Sequence, residues 1–352
     1  MRKTQRAFAR RYQVVGQLVI LHMVLCGTPA WSAEFTDGGM SMPPPMGIGL
    51  ESFKYPFPVH FMPLTIEGQL VGMAYMDVPA EGADQSKSIV LLHGKNMGGY
   101  YFESLIRFLS SKGYRVVVPD QIGWGKSSKP DVVYSFDMLA ANTARLLDEL
   151  KINKTAVLGH STGGMLAVRF ARSYPERVTQ LILEDPIGLE DYRRNIPPQS
   201  MESLYQAELQ NTDPEKIRQF YARYFATPHP QLSEALADVV IGVTQSAEWP
   251  RWAKASALAY QMIYQQPVCY EFALIKPRTL VVVGDKDKTV VLAKYATPEM
   301  LKTMGNFPEL ARNAAKLIPN GEAVVISDSG HIPHLEQPSQ FREALEKFLQ
   351  QH

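Results

Sequence analysis

A hydroxyl, an imidazole and a carboxylate held in line can cleave an acyl bond, and three widely spaced segments of this chain offer them. Gly159-His160-Ser161-Thr162-Gly163 is a G-x-S-x-G that follows the apolar run Thr155–Leu158 and opens a helix-like stretch reaching Tyr174. Strand, sharp turn and helix in that order push a serine outward on a nucleophile elbow. Small residues at 159 and 163 let strand and helix approach closely, and Ser161 then sits at a helix N-terminus whose dipole favours developing negative charge. A serine hydroxyl is a poor nucleophile at neutral pH until a base takes its proton and a third group orients that base. Downstream, Gly284-Asp285-Lys286-Asp287 and Asp328-Ser329-Gly330-His331 each lie just beyond an apolar run. The expected roles are Ser161 as nucleophile, His331 as base and Asp287 as the acid that fixes the imidazole.

Each assignment has competitors. Asp285 stands two residues from Asp287 and is expected to make a local turn hydrogen bond instead. His334 would pair with Glu336 as a structural contact, while His160, on the elbow itself, would turn its ring towards the pocket wall or the core. His331-x-x-His334 has metal-ligand spacing, but no third ligand is suggested and H-E-x-x-H is missing, so neither metal nor cofactor is expected. Acyl transfer also needs hydrogen-bond donors for the oxyanion. The backbone N–H of Thr162 follows the nucleophile directly. A second donor is expected at the turn His93-Gly94-Lys95-Asn96, where Gly94 permits a tight bend; Lys95 is preferred and Asn96 is the alternative. Gly125-Lys126-Ser127 is not a phosphate-binding loop, because that motif needs glycine at position 120, where the chain has Asp120.

Residues this far apart meet only if the fold brings them to one edge. After a hairpin-like pair, Val59–Ile66 and Leu70–Met76, apolar runs recur at Ser88–Leu92, Arg115–Pro119, Thr155–Leu158, Gln180–Leu183, Thr279–Val283 and Ala323–Ile326. Several have no wet face, which is the mark of parallel strands covered on both sides by helices. The helices lie between them: Leu139, Thr143, Leu146, Leu147 and Leu150 share one helical stripe. The fold class is α/β, with a mostly parallel central sheet flanked by helices. Strand ends on the same side of such a sheet share one rim, so Ser161, Asp287 and His331 can converge there. About 90 residues separate the strands near Glu184 and Thr279. They read as four helices carrying Tyr205, Tyr221, Tyr224, Trp249, Trp252, Tyr260 and Tyr264, a helical cap over the ligand-binding edge of the sheet. Those aromatics are either pocket lining or the core of a small helical subdomain.

The 352 residues hold 36 Lys+Arg against 35 Asp+Glu, so nothing in the charge favours nucleic acid as a partner. Cys26 and Cys269 are the only cysteines, which leaves no disulfide framework and no cysteine zinc site. Residues 1–33 carry five of the basic side chains and none of the acidic ones, so the remainder has a net charge of −4. The apolar run Val14–Cys26 that follows those cations is 13 residues long, short of the roughly 20 needed to span a bilayer. With small residues at Ala30 and Ala33 it reads as a removable export signal, leaving no stable membrane anchor and a periplasmic or secreted product. Arg10-Arg11 is a possible twin-arginine element. The expected organisation is a signal over 1–33, a Pro- and Gly-rich arm over 34–57, core segments over 58–186 and 278–352, and the cap over 187–277.

Leu91-Leu92-His93-Gly94, Asp120 to Ser127, Gly159 to Gly163, Gly284 to Asp287 and Gly330 to Pro338 together resemble the alpha/beta-hydrolase superfamily, over about residues 59–350. The pattern is closest to the capped branch that includes haloalkane dehalogenases, epoxide hydrolases, carbon–carbon bond hydrolases and serine esterases. The resemblance implies that Asp287 is the acid, that His331 is the base, and that Asp120 to Ser127 form a structural turn beside the site. One departure bears on chemistry: dehalogenases and epoxide hydrolases use an aspartate nucleophile, and this chain has Ser161. The expected function is an exported, cofactor-free serine hydrolase acting on a small-molecule ester, thioester or amide. The alternatives are a carbon–carbon bond hydrolase, a non-catalytic ligand-binding protein of the same fold, and a secreted interaction module built on the arm.

Overall fold

The computed structural model describes residues 42–82 and 87–351. The expected signal over 1–33 and the first part of the arm lie outside the described residues. The chain opens its sheet with β1 (Val59–Ile66) and β2 (Gln69–Val78), paired antiparallel. Their link is two residues long, because Glu67 and Gly68 both adopt positive φ (47° and 77°), so Gln69 already pairs with Ile66. That is the turn whose twist suits a hairpin.

The remaining strands are β3 (Lys87–Leu92), β4 (Tyr114–Pro119), β5 (Thr155–His160), β6 (Val178–Glu184), β7 (Arg278–Gly284) and β8 (Gly321–Ile326). They lie in the order β1-β2-β4-β3-β5-β6-β7-β8, and every pair from β4 to β8 is parallel. β5 is buried at all six positions, as a central strand covered on both faces must be. Helices α1 (Glu103–Ser111), α2 (Phe136–Glu149) and α3 (Thr162–Ser173) follow β3, β4 and β5. Four helices stand between β6 and β7: α4 (Met201–Leu209), α5 (Pro214–Ala222), α6 (Pro230–Thr244) and α7 (Trp249–Gln265). The chain closes with α8 (Pro298–Leu301), α9 (Phe307–Leu317), α10 (Pro333–Glu336) and α11 (Pro338–Gln350). Buried side chains of α2, α3 and α9 pack on one face of the sheet, and those of α1 and α11 on the other. The α/β architecture expected from the apolar runs is the one observed.

In the insertion, α4 packs against α7 and α5 against α6. The arm from residue 42 onward has no regular structure, yet Met46, Ile48, Leu50 and Phe53 are buried. The described part is tied down near both of its ends. The Met46 amide donates to Gly242 O of α6 (3.0 Å), Gln245 Nε2 to Pro43 O (2.8 Å), and Tyr55 Oη to Asp120 (2.7 Å). Asp120 also accepts the amides of Gly99 (2.6 Å) and Lys126 (2.7 Å), so the stretch that superficially resembled a phosphate loop is a carboxylate-centred turn. Among the described residues, no helix is long and apolar enough to cross a membrane.

Candidate active site

β5 ends at His160 and α3 begins at Thr162, so one residue turns the chain. That residue, Ser161, has φ 55° and ψ −118°, a conformation that costs a non-glycine residue of order 1–3 kcal/mol and persists only when its surroundings impose it. The surroundings do impose it. The Ser161 amide donates to Glu184 O (3.0 Å), and its carbonyl accepts from Gly164 N (2.9 Å) and Ile187 N (3.2 Å). A Cβ on Gly159 would run into the Gly163 carbonyl, and one on Gly163 into the Leu92 carbonyl. The two glycines of the motif are therefore required by close approach.

His331 and Asp287 come to the same place from the turns after β8 and β7. His331 Nε2 lies 2.9 Å from Ser161 Oγ, and His331 Nδ1 lies 2.7 Å from Asp287 Oδ2. A carboxylate only accepts, so Nδ1 carries the proton and Nε2 is left to accept from the serine hydroxyl. Asp287 takes a further bond from the Thr289 amide (2.8 Å). Burial alone would push the Asp287 carboxyl up, but the electrostatic pull of the His331 imidazole and the hydrogen bonds from His331, Asp185 and Thr289 outweigh it and hold Asp287 below the usual carboxylate range. All three side chains are buried beneath the cap. The cap touches the site directly: Tyr224 O accepts the His331 amide (2.7 Å), and the Tyr224 ring lies against the imidazole with centroids 5.0 Å apart.

The competitors go elsewhere. Asp285 accepts the Ser329 amide (3.3 Å) from the neighbouring turn after β8 rather than from its own, and pairs locally with Lys286. His334 does not pair with Glu336. Its Nδ1 bonds Glu184 at 2.8 Å, because Glu336 is already taken by the amides of Gly330, Ala226 and Thr227. His160 is fully buried and serves as a strut. Its Nε2 donates to His331 O (2.7 Å), which leaves Nδ1 to accept from Tyr101 Oη (2.9 Å), and Tyr101 Oη in turn accepts the Gly94 amide (3.1 Å). One relay thus joins the turn after β3 to the backbone of the candidate base.

That turn sits close to the nucleophile, since a Cβ on Gly94 would come within 3.1 Å of Ser161 Cβ. Lys95 and Thr162 both line a cavity of about 10 Å³ there, with His93, Gln121 and Gly163. The Lys95 side chain reaches up into the cap. Its ammonium bonds Ser256 Oγ (2.7 Å) and Asn96 Oδ1 (2.8 Å), stands 3.9 Å from Glu208, and lies over the Tyr260 ring. Burial pulls its pKa down to about 8, with Glu208 opposing and Lys294 assisting.

Comparison with known proteins agrees with this fold. The sequence profile described as alpha/beta hydrolase fold matches residues 87–338. The chain belongs to the alpha/beta-hydrolase family. A crystal structure of a probable hydrolytic enzyme from Pseudomonas aeruginosa superposes with a TM-score of 0.85 at 40% identity, over 88% of this chain and all of that one. The AB hydrolase superfamily protein YfhM of Bacillus subtilis is 25% identical over 285 residues, 78% of this chain and 94% of its own. The 2-hydroxy-6-oxo-2,4-heptadienoate hydrolase of Pseudomonas putida is 23% identical over 80% of this chain and 96% of its own.

Sequence reasoning missed three parts of this alpha/beta-hydrolase site: the buried carboxylate of Asp185 beside Asp287, the Tyr101–His160 relay, and the Lys95 side chain as a bridge from core to cap. Asp185 had a readable signal, since Glu184-Asp185 ends an apolar run just as Asp287 follows one. The relay had none, because its members are 59 residues apart and pair only through tertiary packing.

Proposed function

We propose that this alpha/beta hydrolase is a serine hydrolase of small or medium esters, thioesters or amides, working through an acyl-enzyme on Ser161. The reading is carried by the His331 bridge, 2.9 Å from Ser161 Oγ and 2.7 Å from Asp287. Ser161 Oγ attacks the substrate carbonyl carbon as its proton passes to His331 Nε2, and Asp287 steadies the imidazolium. The amides of Lys95 and Thr162 hold the resulting oxyanion. Collapse breaks the bond to the leaving group, which takes the proton from His331. Water, deprotonated by the same imidazole, then releases the acid and restores Ser161. The buried position of all three groups under the cap favours a small-molecule substrate.

The test is fluorophosphonate labelling together with aryl-ester turnover. Wild-type protein labels covalently at Ser161, whereas Ser161→Ala neither labels nor turns over at more than about one-thousandth of the wild-type rate. Full activity in the variant removes the nucleophile. A second reading is favoured by the Pseudomonas putida relative, whose name describes hydrolysis of a 2-hydroxy-6-oxo dienoate. Faster turnover of a ring-fission diketone than of an aryl ester would select carbon–carbon bond cleavage by the same residues. Export, read from residues 1–33, is a further part of this proposal; N-terminal sequencing of the mature protein from a periplasmic fraction checks it.

A further inference from the structure

β6 ends in two consecutive carboxylates that point to different partners. Glu184 holds His334, and Asp185, one residue on, lies beneath the turn that carries Asp287. Asp185 is wholly buried and has φ 36°, in the left-handed region that disfavours any residue but glycine. Its backbone is held there by an amide bond to Val282 O (2.9 Å), and its two carboxyl oxygens face the Gly284 amide at 3.0 and 3.2 Å. Its carboxyl oxygen, that of Asp287 and a ring nitrogen of His331 lie within 4.8 Å of one another.

Two buried carboxyl groups this close do not both ionise at modest cost. The partners decide which keeps the charge. Asp287 receives the imidazole N–H and the Thr289 amide, whereas Asp185 receives the single amide of Gly284. The titratable groups facing Asp185 are Asp287, Glu184 and, across the cluster, His331. Burial first, then the charge of Asp287, push the Asp185 carboxyl well above the usual carboxylate range.

We propose that Asp185 is a positioning residue, a neutral carboxylic acid that donates its proton in a hydrogen bond to Asp287 and so holds that carboxylate against His331. The candidate triad then has a fourth member one residue beyond the end of β6. The proposal rests on the serine-hydrolase reading above. Asparagine reproduces the neutral acid, with an amide N–H for Asp287 and a carbonyl oxygen for the Gly284 amide. Alanine reproduces neither.

The experiment measures kcat, KM and the pH profile of kcat/KM for wild type, Asp185→Asn and Asp185→Ala, with fluorophosphonate labelling tested on a separate sample of each. Asp185→Ala loses about tenfold or more in kcat, the effect of one hydrogen bond to a charged group, with little change in KM. Its acid limb moves to higher pH, because an Asp287 carboxylate without its donor stabilises the imidazolium more strongly. Asp185→Asn restores the rate and the position of the limb. A limb shifted down by about one pH unit or more in Asp185→Asn means that a negative charge was removed, and overturns the proposal. Unchanged kcat in Asp185→Ala overturns it as well. Carbon-13 spectra of wild-type protein labelled at the aspartate carboxyls serve if Asp185→Ala fails to fold. One carboxyl resonance stays in its protonated position from pH 5 to 8, and its absence sinks the idea. Failure of the wild type to label, with activity retained in Ser161→Ala, would remove the serine-hydrolase reading itself.

Discussion

Two buried histidine–carboxylate pairs stand three residues apart in sequence at the rim of this sheet. His331 bonds Asp287 at 2.7 Å and His334 bonds Glu184 at 2.8 Å, each through Nδ1. The electrostatics are alike. Burial would raise the Glu184 carboxyl, but His334 outweighs it and leaves Glu184 below the usual range, as His331 does for Asp287. What differs is the far nitrogen. His331 Nε2 meets Ser161 Oγ, while His334 Nε2 has no hydrogen-bond partner among the described residues and its ring is wedged among Phe102, Tyr101 and Phe341, with centroids 5.1, 5.2 and 6.1 Å away. Glu184 also takes the His334 amide (2.9 Å), so this pair pins the start of α10. An imidazole oriented by a carboxylate is common to both; only His331 has a hydroxyl on the other side, which is what a proton carrier would need.

The sharpest way to break that contrast is to give both histidines the same substitution. His331→Gln is expected to lower kcat/KM for an aryl ester by about three orders of magnitude or more, as loss of a general base does. His334→Gln is expected to stay within about tenfold of wild type. Comparable losses in both would mean that the second pair also takes part in turnover.

The next effect is on stability, and it runs the other way. Removing a hydrogen-bond donor from a buried carboxylate leaves its charge under-satisfied, at a cost of about 1.5–3 kcal/mol. His334→Ala leaves the buried Glu184 carboxylate with the single backbone amide of residue 334 and is expected to lower the unfolding free energy by that order, with the slope of the denaturant transition unchanged. His331→Ala leaves Asp287 with the Thr289 amide and the adjoining Asp185 carboxyl, so its loss should be the smaller of the two. The reverse ranking would show that the His331 pair is the main structural clamp.

The contrast also shows what a sequence can and cannot reveal here. Apolar runs such as Thr155–Leu158 locate the strands because a strand covered on both faces has no polar alternation to confuse it with a loop. Ser161, Asp287 and His331 stand out because each follows such a run, and parallel topology brings those ends together. The partner of His334 was misread as Glu336 because nearness in sequence is a poor guide once the chain turns. Glu336 faces the amides of Ala226 and Thr227 from the cap, and Glu184 arrives from 150 residues away. Asp185 escaped for a related reason: nothing local separates a carboxylate that pins a turn from one that touches the acid of the site.

The smallest effect concerns the strut between the two pairs. His160 is buried with its neutral ring donating to His331 O and accepting from Tyr101, and burial, with His331 and His334 adding to it and Glu184 opposing, lowers its pKa to about 3. In the unfolded chain an imidazole takes up its proton near pH 6.5. Between those values the unfolded state binds one more proton than the native state, so unfolding free energy rises with pH across the window and falls on acidification. The slope from this residue is about 1.4 kcal/mol per pH unit. His160→Asn, which has no titrating group, is expected to be less stable at pH 7 yet to lose less stability per unit of acid between about pH 6 and 4. Urea midpoints of both proteins across that range supply the comparison. Equal slopes would mean that the ring is already protonated in the native protein, and that the Tyr101 hydroxyl no longer donates to its Nδ1.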